Sequence, residues 1–249
     1  MTPNPILKVL STFSKYKVKS LLIGGQAAII YGAAEFSRDS DFVILCSPEN
    51  IEKLKKALKA LKAENIYVPP LEIDYLRRGH ACHFRCKAKE AQGLRIDIIS
   101  QLRGCDFFDK LWNRKKAISL KNSETVYVLG LRDLVQSKKT QRDKDWLMLK
   151  RLVENDIILH KEAPSKEQIK WWLSESRNAQ TIMNLAKEYP EILQECIGER
   201  PLLQEAANQN AERLNLKLNE EEAAQRQKDI EYWEPLKKEL ETLRHDATK

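Results

Sequence analysis

"LLIGGQAAIIYGAAEFSRDSDFVIL", residues 21–45, sets two apolar runs around a glycine pair and a pair of aspartates. The first run, within "VKSLLIGG", reads as a short buried strand that ends in a turn at Gly24-Gly25. "QAAIIYGAA" then suits a helix of small residues packed close to a sheet, and "DSDFVIL" reads as the next strand. Side chains alternate along a strand, so Asp39 and Asp41 project from one face, roughly 6.6 Å apart, and Ser40 from the other. Two carboxylates that close raise each other's pKa unless a cation neutralises them. An all-oxygen donor set with no thiol points to a hard ion, Mg²⁺ or Mn²⁺.

A third carboxylate, Asp97 in "LRIDIIS", lies between apolar residues on another expected strand; the purely structural alternative has Asp39 as a turn cap and Asp97 in a salt bridge with a neighbour such as Arg95. If that strand neighbours "DSDFVIL", three carboxylates meet at one place, an arrangement that suits two divalent ions roughly 3.5–4 Å apart. Gly24-Gly25 supplies the complementary part. A glycine turn leading into a small-residue helix lets backbone N–H groups approach a phosphate. The thirteen residues between Gly25 and Asp39 leave room for one helix and a return to the adjacent strand.

Outward from this stretch, residues 5–17 carry Ile6, Leu7, Val9, Leu10 and Phe13 at helical spacing. Ser47 or Pro48 begins a helix with Ile51, Leu54, Leu58 and Leu61 on one face. After Pro69-Pro70 a β-rich section is expected, with "HACHFRCKAK" and "LRIDIIS" joined as a hairpin through "KEAQG", and "TVYVLG" as a further strand. From Leu131 the chain reads helical, with Leu134, Val135, Leu147, Leu149 and Leu152 as apolar positions. Pro164 marks the expected boundary between an N-terminal domain, residues 1–160, and a helical C-terminal domain, residues 161–249. Ser165 with Gln168 has the form of a capping box, Asn219 with Glu222 gives a second capping signal, and Pro235 should kink or restart the last helix. The expected fold class is α+β, a mixed sheet flanked by helices and followed by a helical region.

The 249 residues carry a net charge of +7, unevenly placed. Residues 1–160 hold 29 Lys+Arg against 18 Asp+Glu, and residues 161–249 hold 14 against 18. A basic N-terminal part attracts polyanions such as RNA or nucleotides, and a solvated basic surface has the same composition. No apolar run approaches the length of a membrane span, and the N-terminus lacks the order of a signal peptide, so a cytoplasmic protein is expected. Five scattered cysteines argue against a disulfide framework. His80, Cys82, His83 and Cys86 lie close together, but no second cluster completes a tetrahedral zinc site, and a strand with small thiol fillers is the better reading. In "WNRKK", residues 112–116, an aromatic joins basic residues; packing of Trp112 under a loop is favoured over contact with nucleic acid. Trp171 and Trp172 are adjacent on a helix and cannot both face one core.

The order "IGG", thirteen residues, "DSDFV", then "RIDII" resembles the nucleotidyltransferase superfamily, with its DNA polymerase beta-like fold, over roughly residues 20–100. "SKKTQRDKDWLMLKRL", residues 137–152, is similar to a helix of the abortive-infection-type toxin nucleotidyltransferases. The resemblance implies metal-dependent transfer of NMP from an NTP, such as ATP, to an acceptor hydroxyl, with pyrophosphate leaving. It implies that Asp39, Asp41 and Asp97 are the catalytic, metal-binding residues. Gly24, Gly25, Ser37, Arg38, Lys138, Lys139 and Arg142 become the nucleotide-binding candidates. It also implies an RNA or tRNA acceptor and an antitoxin or other protein partner. Transfer to a protein or small-molecule hydroxyl is an alternative. Ser40, where the family usually has an apolar residue, and Glu35, where toxin-type members often have an arginine, favour a second reading: a binding or regulatory module that keeps the fold without catalysis.

Overall fold

The computed structural model describes residues 5–119 and 125–247. The chain forms two compact units, one of residues 1–137 with 232–249, the other of residues 138–231. The expected boundary at 160/161 falls within the second unit.

The first unit opens with helix α1 (Pro5–Lys15), which buries Ile6, Val9, Leu10 and Phe13, while Leu7 remains exposed. Strand β1 (Ser20–Ile23) runs directly into the seven-residue helix α2 (Gly24–Ile30), and β2 (Asp39–Ile44) returns beside it. Helix α3 (Pro48–Ala60) starts as the sequence predicts, with the Ser47 hydroxyl accepting from the Asn50 N–H at 3.2 Å and Pro48 in the first turn. Its Ile51, Leu54 and Leu58 are buried.

A short strand, β3 (Ala63–Asn65), follows. The section after Pro70 is not uniformly extended, because α4 (Ile73–Arg78) intervenes before β4 (Cys82–Cys86). Gly79 closes α4 in the left-handed conformation at φ +99°, a helix stop that glycine accommodates without strain. Strand β5 (Arg95–Ile99) pairs antiparallel with β4, as the hairpin reading expects. Helix α5 (Phe108–Asn113), strands β6 (Lys116–Ser119) and β7 (Thr125–Val128), and helix α6 (Leu131–Ser137) complete the main part of the unit.

The sheet has the order β3-β4-β5-β2-β1-β7-β6 and is mixed, parallel at β2/β5 and β1/β7 and antiparallel elsewhere. The chain is of the α+β class. Ser40 and Phe42 are buried on one face of β2, where Phe42 meets Phe13 of α1 at 4.8 Å between ring centroids, whereas Asp39 and Asp41 on the other face are half-buried.

The second unit is helical. Helix α7 (Asp143–His160) buries Trp146, Leu149, Leu152 and Val153; the expected apolar position Leu147 points outward at 54% exposure. Helix α8 (Lys166–Glu175) starts in the predicted capping box of Ser165 and Gln168. Its Trp172 is buried, donating from Nε1 to Asp156 at 2.8 Å, while Trp171 is only half-buried. Helices α9 (Ala179–Glu188), α10 (Pro190–Ile197) and α11 (Leu203–Ala207) follow.

Helix α12 (Ala211–Ala247) corrects one expectation and removes one of the two alternatives for Pro235. The capping signal Asn219–Glu222 lies inside it. The capping acceptor is instead Asn210, which takes the Arg213 N–H at 3.0 Å. Helix α12 also continues through Pro235 rather than restarting there. Its residues 211–231 belong to the second unit and 232–247 to the first.

Candidate functional site

The register of three strands builds the site. In the parallel pair β2/β5, Asp41 stands directly opposite Asp97 and Asp39 opposite Arg95. In the antiparallel pair β4/β5, His83 stands opposite Asp97. Neighbouring strands are about 4.8 Å apart and register partners share a face. Asp39, Asp41, Asp97, Arg95 and His83 therefore occupy one patch of one sheet face, Asp41 one strand spacing from Asp97 and one two-residue step from Asp39, with Asp39 and Asp97 on the diagonal.

Asp97 is engaged within this patch. Arg95 Nε donates to Asp97 Oδ1 at 2.7 Å, and His83 Nδ1 lies 2.9 Å from the same oxygen. Arg95 Nη2 is also 3.1 Å from His83 Nδ1, so that ring nitrogen either donates to Asp97 or accepts from Arg95. Tyr67 borders the group, its ring edge-on to His83 at 5.8 Å and facing the Arg95 guanidinium at the same distance. Burial pushes the Asp97 carboxyl upward, but the hydrogen bonds from His83 and Arg95 and their charges together outweigh it and hold the group below the usual carboxylate range.

The glycine turn abuts the aspartates. Gly24 has φ +67°, and a Cβ built there would lie 1.9 Å from Asp41 Oδ2, so only glycine fits. A Cβ at Gly25 would lie 2.5 Å from Ser37 Oγ. Ser37 in turn donates to the Asp39 carbonyl at 3.1 Å, and Gln26 donates to the Ser37 carbonyl at 3.2 Å. The glycine pair thus clamps the segment that leads into β2, with Asp41 lying against Gly24 and Ser37 against Gly25. Arg38 is exposed, and so is Phe36 at 73%.

The donors of this patch match a hard divalent cation: carboxylate oxygens from Asp39 and Asp41 on one face, with Asp97 in register beside them. The Gly24 cradle, which a methyl group would fill, leaves room for the Asp41 carboxylate there. Asp97 Oδ1 is committed to Arg95 and His83, and among the described residues no three His, Cys, Asp or Glu side chains stand together as a ready-made metal cluster. The donor chemistry fits; a role for Asp97 as a ligand requires it to exchange its present partners.

The remaining sequence candidates lie in the second unit, in ion pairs of their own. Lys138 Nζ is 3.0 Å from Asp145, with both side chains buried, and Arg142 and Thr140 bond the same carboxylate at 2.7 and 2.8 Å. Burial raises the Asp145 pKa, but the Lys138 and Arg142 charges overcome it and keep the group low. Lys139 pairs with Glu175 at 2.9 Å.

The cysteine–histidine cluster does not gather. Cys82 and Cys86 are buried in β4 as fillers, His83 turns to Asp97, and His80 lies 2.7 Å from Glu239. Trp112 is half-buried and stacked on Phe108, with Lys115 Nζ 4.3 Å from its ring centroid.

The salt bridge of Asp97 with Arg95 is the one the structural alternative expects, whereas His83 is absent from the sequence candidates for this site. The signal that finds both residues is strand parity: in a hairpin that places Asp97 on the half-exposed face, the directly opposed residue of β4 and the residue two before Asp97 share that face. No helix among the described residues is long and apolar enough to cross a membrane. Comparison with known proteins matches no family model and no curated protein, so the resemblance rests on the residues themselves.

Proposed function

We propose that the chain is a nucleotidyltransferase that moves NMP from an NTP to an acceptor hydroxyl. The observation that carries this reading is the register of Asp41 with Asp97, with Asp39 two residues away on the same face and Gly24 pressed against Asp41. In the reaction the acceptor oxygen bonds to the α-phosphorus, the bond from that phosphorus to the bridging oxygen breaks, and pyrophosphate leaves with the electron pair. A divalent cation held there supplies charge neutralisation for the triphosphate.

Asp39 and Asp41 provide the anionic oxygens, fixed by the strand and by the clamp of Ser37 on the Asp39 carbonyl. Asp97, held below the ordinary carboxylate range by Arg95 and His83, is a weak proton acceptor in that pairing. Its first role is to orient the acceptor hydroxyl, and it takes the proton only when Arg95 has turned to another anion, such as a phosphate. Exposed Arg38 and Phe36, on the segment entering β2, would supply a phosphate contact and a stacking surface for a base. The acceptor class that best matches the basic residues 1–160 is RNA, tRNA included, and a protein partner such as an antitoxin accords with the toxin-type likeness.

The Asp97–Arg95–His83 pairing also favours the second reading, a binding module in which an internal cation has replaced the metal. The test incubates purified protein with each α-labelled NTP, Mg²⁺, total RNA and cell lysate, beside Asp41→Asn. Label that enters RNA, protein or a small molecule and vanishes in the variant supports transfer and identifies the acceptor. NTP binding without label transfer under all conditions leaves the binding module.

A further inference from the structure

A second concavity lies in the first unit, away from the aspartates. It has a volume of about 600 Å³, within the range of small-molecule sites. Phe42 lines it, and Phe42 projects from the face of β2 opposite to Asp41. Two features of its lining are chemical. Its aromatic lining comprises Phe13 and Phe42, both buried and packed on each other, and Trp112 and Tyr127, whose rings meet edge to face at 4.7 Å. The charged lining is cationic: Lys17, Lys19 and Lys53 border the pocket, and among the described residues no aspartate or glutamate lines it.

These ammonium groups are weakly committed. Among the described residues Lys53 pairs with Glu49, one turn earlier on α3 and largely exposed, and Lys19 lies 3.7 Å from the exposed Asp109, with its Nζ 5.2 Å from the Trp112 ring centroid. Exposed pairs of this kind contribute little and exchange readily for a better anion. Lys17 is exposed and is set at the pocket's border by a left-handed backbone, φ +54°, a conformation that costs a side-chain-bearing residue energy. Three cations at an aromatic pocket, two of them paired only to exposed carboxylates outside its described lining, suit an anion attached to an aromatic ring.

We propose that this pocket binds a free nucleotide, a heteroaromatic base carrying a phosphate monoester, with the base against the half-buried Trp112 and Tyr127, backed by the buried Phe13 and Phe42, and the phosphate at Lys17, Lys19 and Lys53. The proposal is independent of the transfer reading, because the pocket shares no residue with the aspartate patch.

The test uses the whole protein labelled with 5-fluorotryptophan, with EDTA present so that no divalent cation recruits nucleotide to the aspartates. The Trp112 ¹⁹F resonance is assigned by its loss in Trp112→Phe and followed on addition of AMP, GMP, CMP and UMP, with ribose 5-phosphate, adenosine and inorganic phosphate as controls. The expected result is a saturable shift of Trp112 with at least one nucleotide, and binding at least about tenfold weaker for every control. Lys17→Gly combined with Lys53→Ala should weaken nucleotide binding by about tenfold or more while the melting temperature holds or rises, since glycine relieves the left-handed backbone at position 17. The proposal is overturned if no nucleotide moves the Trp112 resonance at millimolar concentration, if inorganic phosphate binds as well as the nucleotides, or if the double variant binds unchanged.

Discussion

Replacing Arg95 by glutamine separates what the Asp97 pairing does for folding from what it does to the site. The side chains of Arg95 and Asp97 are 30% and 18% exposed, and the bond between them is 2.7 Å long. Hydrogen bonds to charged groups contribute about 1.5–3 kcal/mol, and the loss of Arg95 leaves Asp97 its contact with His83. We expect Arg95→Gln to destabilise the protein by about 1–2 kcal/mol at neutral pH, lowering the melting temperature by about 2–8 °C.

The pH dependence follows from the direction of the Asp97 shift. Its pKa in the folded chain is depressed, so its contribution is complete above the unfolded carboxylate value, near about 4, and is lost as pH falls through the folded value. The stability gap between wild type and variant should therefore close on acidification below about pH 4. Divalent cations should respond in the opposite sense. A unit positive charge roughly 6 Å from a doubly charged ion opposes it by about 1.4 kcal/mol even at the dielectric of water, so the variant should bind Mg²⁺ or Mn²⁺ about tenfold tighter or more. Thermal melting across pH, with calorimetric titration of both metals, reads both effects. A variant that melts lower but binds metal no better than wild type would sink the idea that Arg95 competes for Asp97.

Two further substitutions probe the frame of the patch. Gly24→Ala places a Cβ 1.9 Å from Asp41 Oδ2 at φ +67°, and should cost about 2 kcal/mol or more by urea unfolding and weaken metal binding as Asp41 is displaced. A variant as stable as wild type would show that Asp41 does not need this cradle. Ser40 is buried on the opposite face of β2, and among the described residues its Oγ has no hydrogen-bond partner, so Ser40→Ala should raise stability by about 1 kcal/mol without changing metal affinity. A loss of metal affinity in Ser40→Ala would mean that the buried hydroxyl serves the site.

Much of this molecule was legible from residue order. Apolar periodicity located α1 and α3, and Ser47-Pro48 and Ser165–Gln168 gave their helix starts through local hydrogen bonds that need no partner from afar. Alternation along "DSDFVIL" placed Asp39 and Asp41 on one side of a strand because a strand's side-chain period is fixed at two. What failed was also local. Asn219–Glu222 and Pro235 carry helix-boundary signals, but they lie within a helix of 37 residues that begins after Asn210. Leu147 fits a helical pattern yet faces outward, because periodicity identifies a stripe without saying which neighbour covers it.

Tertiary structure decided the rest. That Asp97 stands beside Asp41 depends on β5 joining β2 in parallel register across more than fifty residues of chain, which no local preference specifies. Pairing of β4 with β5 brings His83 onto Asp97, where strand alternation also sets Arg95, so that a residue read as a metal ligand also holds a partly buried ion pair. Gly24, legible as a turn, proved to be the space that Asp41 occupies. Alternation and capping are properties of a few consecutive residues, and so the sequence states them; the neighbours a carboxylate meets are set by pairing between distant strands, and only the folded sheet brings them into contact.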